Sequence, residues 1–123
     1  MSCVVLIVED DADVAEALAM ILEDAGYVPE IARDGAEGIE RLRRGAPPAL
    51  ILLDLMMPVM DGCEFRREQL RMQEAASIPV VVLSADAQAA RKAAEMGCAE
   101  YLGKPVDLDR LLAFVARHCK RSA

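Results

Sequence analysis

Glu9 and Asp10 follow the run Val4-Val5-Leu6-Ile7-Val8, and Asp54 closes the run Ala49-Leu50-Ile51-Leu52-Leu53. Ser84 closes Ile78-Pro79-Val80-Val81-Val82-Leu83, and Lys104-Pro105 comes just after Ala99-Glu100-Tyr101-Leu102. The runs from Val4 and from Ala49 read as strands buried on both faces, Ile78–Leu83 as the clearest strand and Ala99–Leu102 as a short fifth one, so the polar groups at their ends need a reason. Strands of one parallel sheet all end on one edge, where ligands bind near a topological switch point. If the first and third strands are neighbours, Glu9, Asp10 and Asp54 converge there. Three carboxylates about 5 Å apart would repel by roughly 3 kcal/mol per pair at an effective dielectric near 20. Protonation of one carboxyl would offset that, and so would a hard divalent cation; an all-oxygen ligand set points to Mg²⁺. Lys104 adds one positive charge, too little for three negatives but suited to a dianionic phosphoryl group.

Singly, each residue has an ordinary explanation. An Asp at a strand end is usually a helix cap or turn former, the role assigned mainly to Asp11 and Asp13. Ser84 alone would be a turn residue and Lys104 a solvated charge. Their joint arrival at the ends of four strands points to chemistry.

The remaining sequence supplies the elements that position these groups. Asp13-x-x-Glu16 predicts a capping box opening a helix with Val14, Leu18, Ile21, Leu22 and Ala25 on one face, stopped by Gly26. A weaker strand is predicted near Tyr27 to Ile31. Asp34-x-x-Glu37 opens a second helix through Ile39 and Leu42, closed by Gly45. Asp61 caps a third, with Phe65 and Leu70 apolar and Arg66, Arg67 and Gln69 interrupting the pattern. Residues 87–96 form an alanine-rich fourth helix ended by Gly97. The last starts near Asp107 with Leu108, Leu111, Leu112 and Val115 on one face. Five strands alternating with five helices predict a doubly wound α/β domain with a parallel sheet.

Bulk properties narrow the partners. The 123 residues fit one domain, 54% apolar but only 3% aromatic, so the core must be aliphatic. A net charge of −7 argues against binding nucleic acid or an anionic membrane through bulk electrostatics. Cys3, Cys63, Cys98 and Cys119 show no CxxC spacing and read as small reduced hydrophobes. No signal peptide or membrane-length run is present, which predicts a cytoplasmic protein.

"LIVEDD", "LLDLMMPVMDG", "VVVLSA" and "EYLGKP" together resemble the receiver domains of bacterial two-component response regulators, in order and across essentially the whole chain. The resemblance implies a flavodoxin-like receiver fold, strand order 2-1-3-4-5, over residues 1–123. It implies that Asp54 accepts a phosphoryl group from a phosphohistidine on a sensor histidine kinase or histidine phosphotransfer protein. Glu9, Asp10, Asp54 and the Met56 backbone carbonyl would hold Mg²⁺ (or Mn²⁺). Ser84, the Ala85 backbone and Lys104 would take the phosphoryl oxygens. Tyr101 would be an aromatic switch, and a cis Lys104–Pro105 bond would aim the lysine inward. Pro58 and Gly62 shape the loop after Asp54, with Met56 and Met57 covering the site. Glu9 stands where many members have Asp, and Ser84 replaces the commoner Thr. Asp86 and Met56 sit where side chains can control water's access to a phosphate.

With the chain ending at Ala123, the output is expected to be a surface built from helix four, strand five and helix five. It would bind an unidentified protein target as a monomer or a phosphorylation-dependent dimer. The alanine-rich fourth helix, with few large anchors, should shift easily. Arg117, His118, Lys120 and Arg121 complement the dipole at the end of the last helix. The main rival is an Mg²⁺-dependent phosphohydrolase with an aspartyl-phosphate intermediate. Haloacid-dehalogenase-type enzymes carry a second Asp two residues after the nucleophile, where this chain has Met56. A flavin carrier lacks its phosphate loop and stacking tryptophan, and a P-loop NTPase lacks G-x-x-x-x-G-K. A non-phosphorylated adaptor would have no use for both acids, the acceptor, the hydroxyl and the lysine.

Overall fold

The computed structural model describes residues 3–57, 59–98 and 100–119. Strand β1 (Val4–Val8) leads to α1 (Ala12–Asp24), β2 (Val28–Ala32), α2 (Gly35–Leu42) and β3 (Leu50–Asp54). There follow α3 (Gly62–Leu70), β4 (Val80–Ser84), α4 (Ala89–Glu95), β5 (Glu100–Gly103) and α5 (Leu108–His118). All strand pairs are parallel, in the order β2-β1-β3-β4-β5. The chain leaves β1 toward one side for β2 and crosses to the other for β3, so the switch point lies between β1 and β3.

Alternation along the strands divides the core in two. Val5, Ile7, Leu50, Leu52, Val81 and Leu83 face α1 and α5, where they meet Leu18, Leu22, Leu111, Phe114 and Val115. Leu6, Val8, Ile51, Leu53, Val80 and Val82 face Ile39, Leu42, Phe65 and Ala93 of α2, α3 and α4. The residues of β3 and β4 are buried throughout, which explains their continuous apolar runs. The edge strand β2 contains Pro29 and leaves Val28 and Ile31 exposed, hence its weaker pattern. Among the described residues no helix is long and apolar enough to cross a membrane.

Several local expectations shift. Asp11, not Asp13, caps α1: its carboxylate accepts from Asp13 N at 3.0 Å and Val14 N at 3.2 Å. The helix therefore begins almost as soon as the chain leaves the sheet edge. Asp34 and Asp61 cap α2 and α3 as expected, and Asp61 with Glu64 completes a capping box. Helix α4 is shorter than predicted, with Ala89 and Ala93 as its buried residues and no side-chain cap.

The sequence pattern of α3 misleads because its polar residues are the buried ones. Leu70 is exposed, whereas Gln69 is 0% exposed and Arg66 is buried. The Arg66 guanidinium donates to Met96 O at 3.0 Å, Gly97 O at 2.9 Å and Gln69 Oε1 at 2.8 Å. Gln69 Nε2 donates to Ala75 O and Ile78 O at 2.9 and 3.0 Å. This network ties α3 to the end of α4 and to the loop before β4, and satisfies carbonyls that burial would otherwise orphan. Gln69→Leu strips those carbonyls and an Arg66 N–H of their partners. It should cost about 2–4 kcal/mol in a urea unfolding curve, against less than about 0.5 kcal/mol for an exposed control such as Arg67→Gln.

The reading of four reduced cysteines is corrected. Cys3 and Cys119 are joined by a disulfide between chain positions 116 apart, while Cys63 and Cys98 are free. Spacing could not reveal the pair, because the fold brings the start of β1 beside the end of α5.

Candidate functional site

Parallel pairing puts the carboxyl ends of β1, β3, β4 and β5 on one edge. Val8 lies opposite Leu53, Asp54 opposite Leu83, and Ser84 opposite Gly103. Glu9, Asp54, Ser84 and Lys104 are thereby delivered to one place from positions up to 95 residues apart. Oxygens of Glu9, Asp10 and Asp54 all lie within 4.8 Å of one another. Glu9 is 1% exposed and Asp54 2%, while Asp10 faces outward. Two buried carboxylates and an exposed third make an acidic cluster.

Lys104 Nζ reaches into it, 2.9 Å from Glu9 Oε1 and 3.4 Å from Asp54 Oδ1. Its backbone N–H donates to Ser84 O at 3.1 Å, and the Lys104–Pro105 peptide is cis. The other Glu9 oxygen, Oε2, accepts from Asp11 N at 3.2 Å, and Asp54 Oδ1 accepts from Met56 N at 3.3 Å. One lysine cannot neutralise three acids. Burial, reinforced by hydrogen bonding and repulsion from Glu9, pushes the Asp54 carboxyl up to about 7 despite the nearby Lys104 charge. Burial pulls Lys104 down, but Glu9 and Asp54 outweigh it and leave the ammonium above its ordinary value.

This uncompensated charge is what a divalent cation would relieve. Three carboxylate oxygens converge, without thiol or imidazole, and an exposed Asp10 faces solvent. That donor set fits Mg²⁺, which keeps several waters and takes few protein oxygens.

The Ser84 hydroxyl, buried at the end of β4, accepts from Asp86 N at 3.0 Å. The Asp86 carboxylate accepts from Gln88 N at 2.8 Å and from Lys92 Nζ at 2.6 Å. Those bonds hold Asp86 below the usual carboxylate range, with Lys92 the larger cause. The lysine partner was not legible in the sequence: the two residues are six apart, and the segment between them starts outside α4.

Other predicted residues fall as follows. Ala85 is exposed beside Ser84, and Tyr101 on β5 is an exposed side chain. Met57 is buried in the core beneath α2 and α3. Of the two methionines expected to cover the site, only Met56, 67% exposed, stays at the surface. Pro58 lies outside the described residues. A Cβ on Gly62 would sit 2.8 Å from both Asp54 O and Leu55 Cα, so glycine lets α3 start against the strand that carries Asp54. Gly62 N donates to Leu55 O at 3.1 Å and fixes that approach.

The chain and its fold have counterparts among known proteins. The family model described as the response regulator receiver domain matches residues 5–116. Response regulator MprA of Mycobacterium ulcerans is 41% identical over 115 residues, 92% of this chain and 48% of that protein. Transcriptional regulatory protein DltR of Streptococcus agalactiae is 34% identical over 121 residues, 96% of this chain and 52% of that protein. The chain thus spans about half the length of the curated relatives it matches. A response regulator from Chloroflexus aurantiacus superposes with a TM-score of 0.90 at 28% identity, covering 98% of this chain and 100% of that one. The receiver domain of a sensor histidine kinase from Pseudomonas aeruginosa, solved with magnesium coordinated in its active-site cleft, gives 0.89 at 25% identity, with 98% and 100% covered. From the match over residues 5–116 and the shared sheet order, this chain belongs to the receiver-domain family of two-component response regulators.

Proposed function

We propose that residues 1–123 act as a phosphorylation-driven signalling switch, in which Asp54 takes a phosphoryl group from a phosphohistidine on a sensor kinase or phosphotransfer protein. The observation that carries this is the Lys104 ammonium placed between Glu9 and the buried Asp54 at the rim of a parallel sheet. Phosphoryl transfer is mostly positioning and charge stabilisation. Asp54, at the end of a fully buried strand, is held by Met56 N, which fixes the carboxylate for in-line attack. As the P–N bond to the donor imidazole breaks, an Asp54 oxygen bonds to phosphorus and the imidazole nitrogen leaves with the electron pair. Lys104 balances charge developing on one phosphoryl oxygen. Ser84 donates its hydroxyl proton to another, and its oxygen is already oriented by Asp86 N. The Ala85 N–H supports the same group.

Glu9, Asp10, Asp54 and the Met56 carbonyl would hold Mg²⁺, which when bound supplies the positive charge that lets donor phosphate and acceptor carboxylate approach. The magnesium in the Pseudomonas aeruginosa relative supports this assignment. Tyr101, an exposed side chain, would turn inward as Ser84 moves, changing the surface of α4, β5 and α5 that a protein target reads. Helix α4 buries only two alanines, so its apolar anchoring is slight, and the Lys92–Asp86 pair and the Arg66 bonds to Met96 O and Gly97 O are the contacts that such a change would have to strain. The protein then catalyses its own phosphorylation and slow dephosphorylation but turns over no other substrate.

The test is intact-mass analysis after mixing with a small acyl-phosphate donor, with and without Mg²⁺. A metal-dependent, hydroxylamine-labile adduct of one phosphoryl group is expected, and Asp54→Asn should lack it. An unchanged mass with every donor would favour an adaptor, and turnover of many small phosphate esters would favour a hydrolase.

A further inference from the structure

We propose that Cys3 and Cys119 form a reversible redox site, closed by low-molecular-weight disulfides and opened by thiols, that locks the end of α5 to the start of β1. This is independent of the phosphoacceptor reading. Cys3 precedes β1 and Cys119 follows α5, so the pair lies at the amino ends of the strands, the edge opposite the carboxylates. Their Cα atoms are 5.9 Å apart, inside the range a disulfide spans without moving backbone. The fold therefore accommodates the bond between the start of β1 and the end of α5.

Both residues are half-buried. Cys119 packs against the α1–α5 side of the core, but neither residue is sealed from a small reagent. That distinguishes the pair from an inert core cysteine. The other two cysteines do not compete. Cys98 packs on the opposite side of the sheet, and Cys63 lies on α3, which covers that same side. Burial pushes both of those thiols up, which leaves them poorer in reactive thiolate.

The exchange balances without any further reactant. One cysteine thiolate attacks a sulfur of the small disulfide, forming a mixed disulfide and expelling a small thiolate. The second cysteine thiolate then attacks the protein sulfur of that mixed disulfide and expels the second small thiolate. The protein gives up two electrons and two protons, and the small disulfide becomes two thiols. Reduction runs the same steps backwards.

Without the bond, the end of α5 is held by the buried Phe114 and Val115 and by a surface pair between Arg117 and Glu100 at 3.3 Å. An exposed pair of that kind contributes little. Closing a ring of nearly the whole chain restricts the unfolded state far more, and it stops the last turn of α5 from fraying. The redox state would then set how freely α5 moves, while leaving the opposite edge unaltered.

The experiment equilibrates the purified full chain with oxidised glutathione or with dithiothreitol. Oxidation should remove about 2 Da, link the Cys3 and Cys119 peptides in a non-reducing digest, and raise the thermal midpoint by roughly 10 °C. Amide exchange should slow in the last two turns of α5, and dithiothreitol should reverse every change. Cys63→Ser/Cys98→Ser should keep the full response, and Cys3→Ser and Cys119→Ser should each lose it. A link through Cys63 or Cys98, or no link under oxidation, would overturn the proposal. So would a bond that native-state dithiothreitol does not open, or equal midpoints and equal α5 exchange in the two forms.

Discussion

Replacing Lys104 with alanine should slow phosphoryl uptake at Asp54 by about 10²–10³-fold, the usual cost of deleting one preorganised charge from a transition-state site. Lys104 Nζ is within 3.4 Å of both buried acids, and among the described residues it is the cation paired with them. Deletion also leaves Glu9 buried without a counter-charge, which should destabilise the metal-free fold by about 3 kcal/mol. Mg²⁺ binding should restore part of that stability. It should not restore the rate, because the lysine's assigned place is on a phosphoryl oxygen rather than among the carboxylates. The check is single-turnover uptake from a small acyl phosphate at saturating Mg²⁺, with urea curves run with and without metal. A variant that regains full rate in excess Mg²⁺ would show that Lys104 only neutralises the acids.

Asp54→Asn should have the second largest effect, and it is a gain. Burial and Glu9 raise the Asp54 carboxyl to about 7 in the fold, so the native state binds more protons than the unfolded chain across the window from about 4 to about 7. Stability therefore falls as pH rises through that window. The penalty is absent below it and complete above it. The size of the displacement corresponds to on the order of 4 kcal/mol, an upper bound for what an uncharged residue recovers. Asn keeps the shape and removes the charge, so the metal-free variant should be more stable by about 2–4 kcal/mol at pH 8 and nearly unchanged at pH 4. Thermal midpoints measured across pH, with chelator, give the curve. Millimolar Mg²⁺ should raise the midpoint of the native protein and do much less for the variant. A variant less stable than its parent at pH 8 would mean that Asp54 is not held against its charge.

What the sequence makes legible depends on whether a residue's role is local or set by long-range packing. The runs ending in Asp54 and Ser84 are apolar on both faces because β3 and β4 are central strands, and such runs announce themselves. Their shared polar endings followed from parallel topology alone. Asp34 and Asp61 were legible as caps because capping is a contact within four residues. Asp11 and Asp13 both read as capping residues; the capping-box pattern placed the helix start at Asp13, whereas the carboxylate that caps α1 is that of Asp11. Arg66 and Gln69 were misread because periodicity assumes that buried positions are apolar. Their burial is made tolerable by carbonyls up to 31 residues away, which no pattern within α3 encodes. The Cys3–Cys119 bond failed to show for the same reason: 116 positions separate its ends. The convergence of Glu9, Asp10, Asp54 and Lys104 was the most legible feature, because the sheet edge gathers residues by a rule of topology rather than by individual packing.

The most direct test is to locate the phosphoryl group. The protein, loaded from an acyl phosphate with Mg²⁺, would be trapped by borohydride reduction of the acyl phosphate and digested, and the altered residue read by tandem mass spectrometry. Conversion of Asp54 to homoserine in the metal-containing sample alone is the expected result. Modification at another residue such as Asp10 or His118, or equal modification with and without Mg²⁺, would contradict the assignment of Asp54 as a metal-assisted phosphoacceptor.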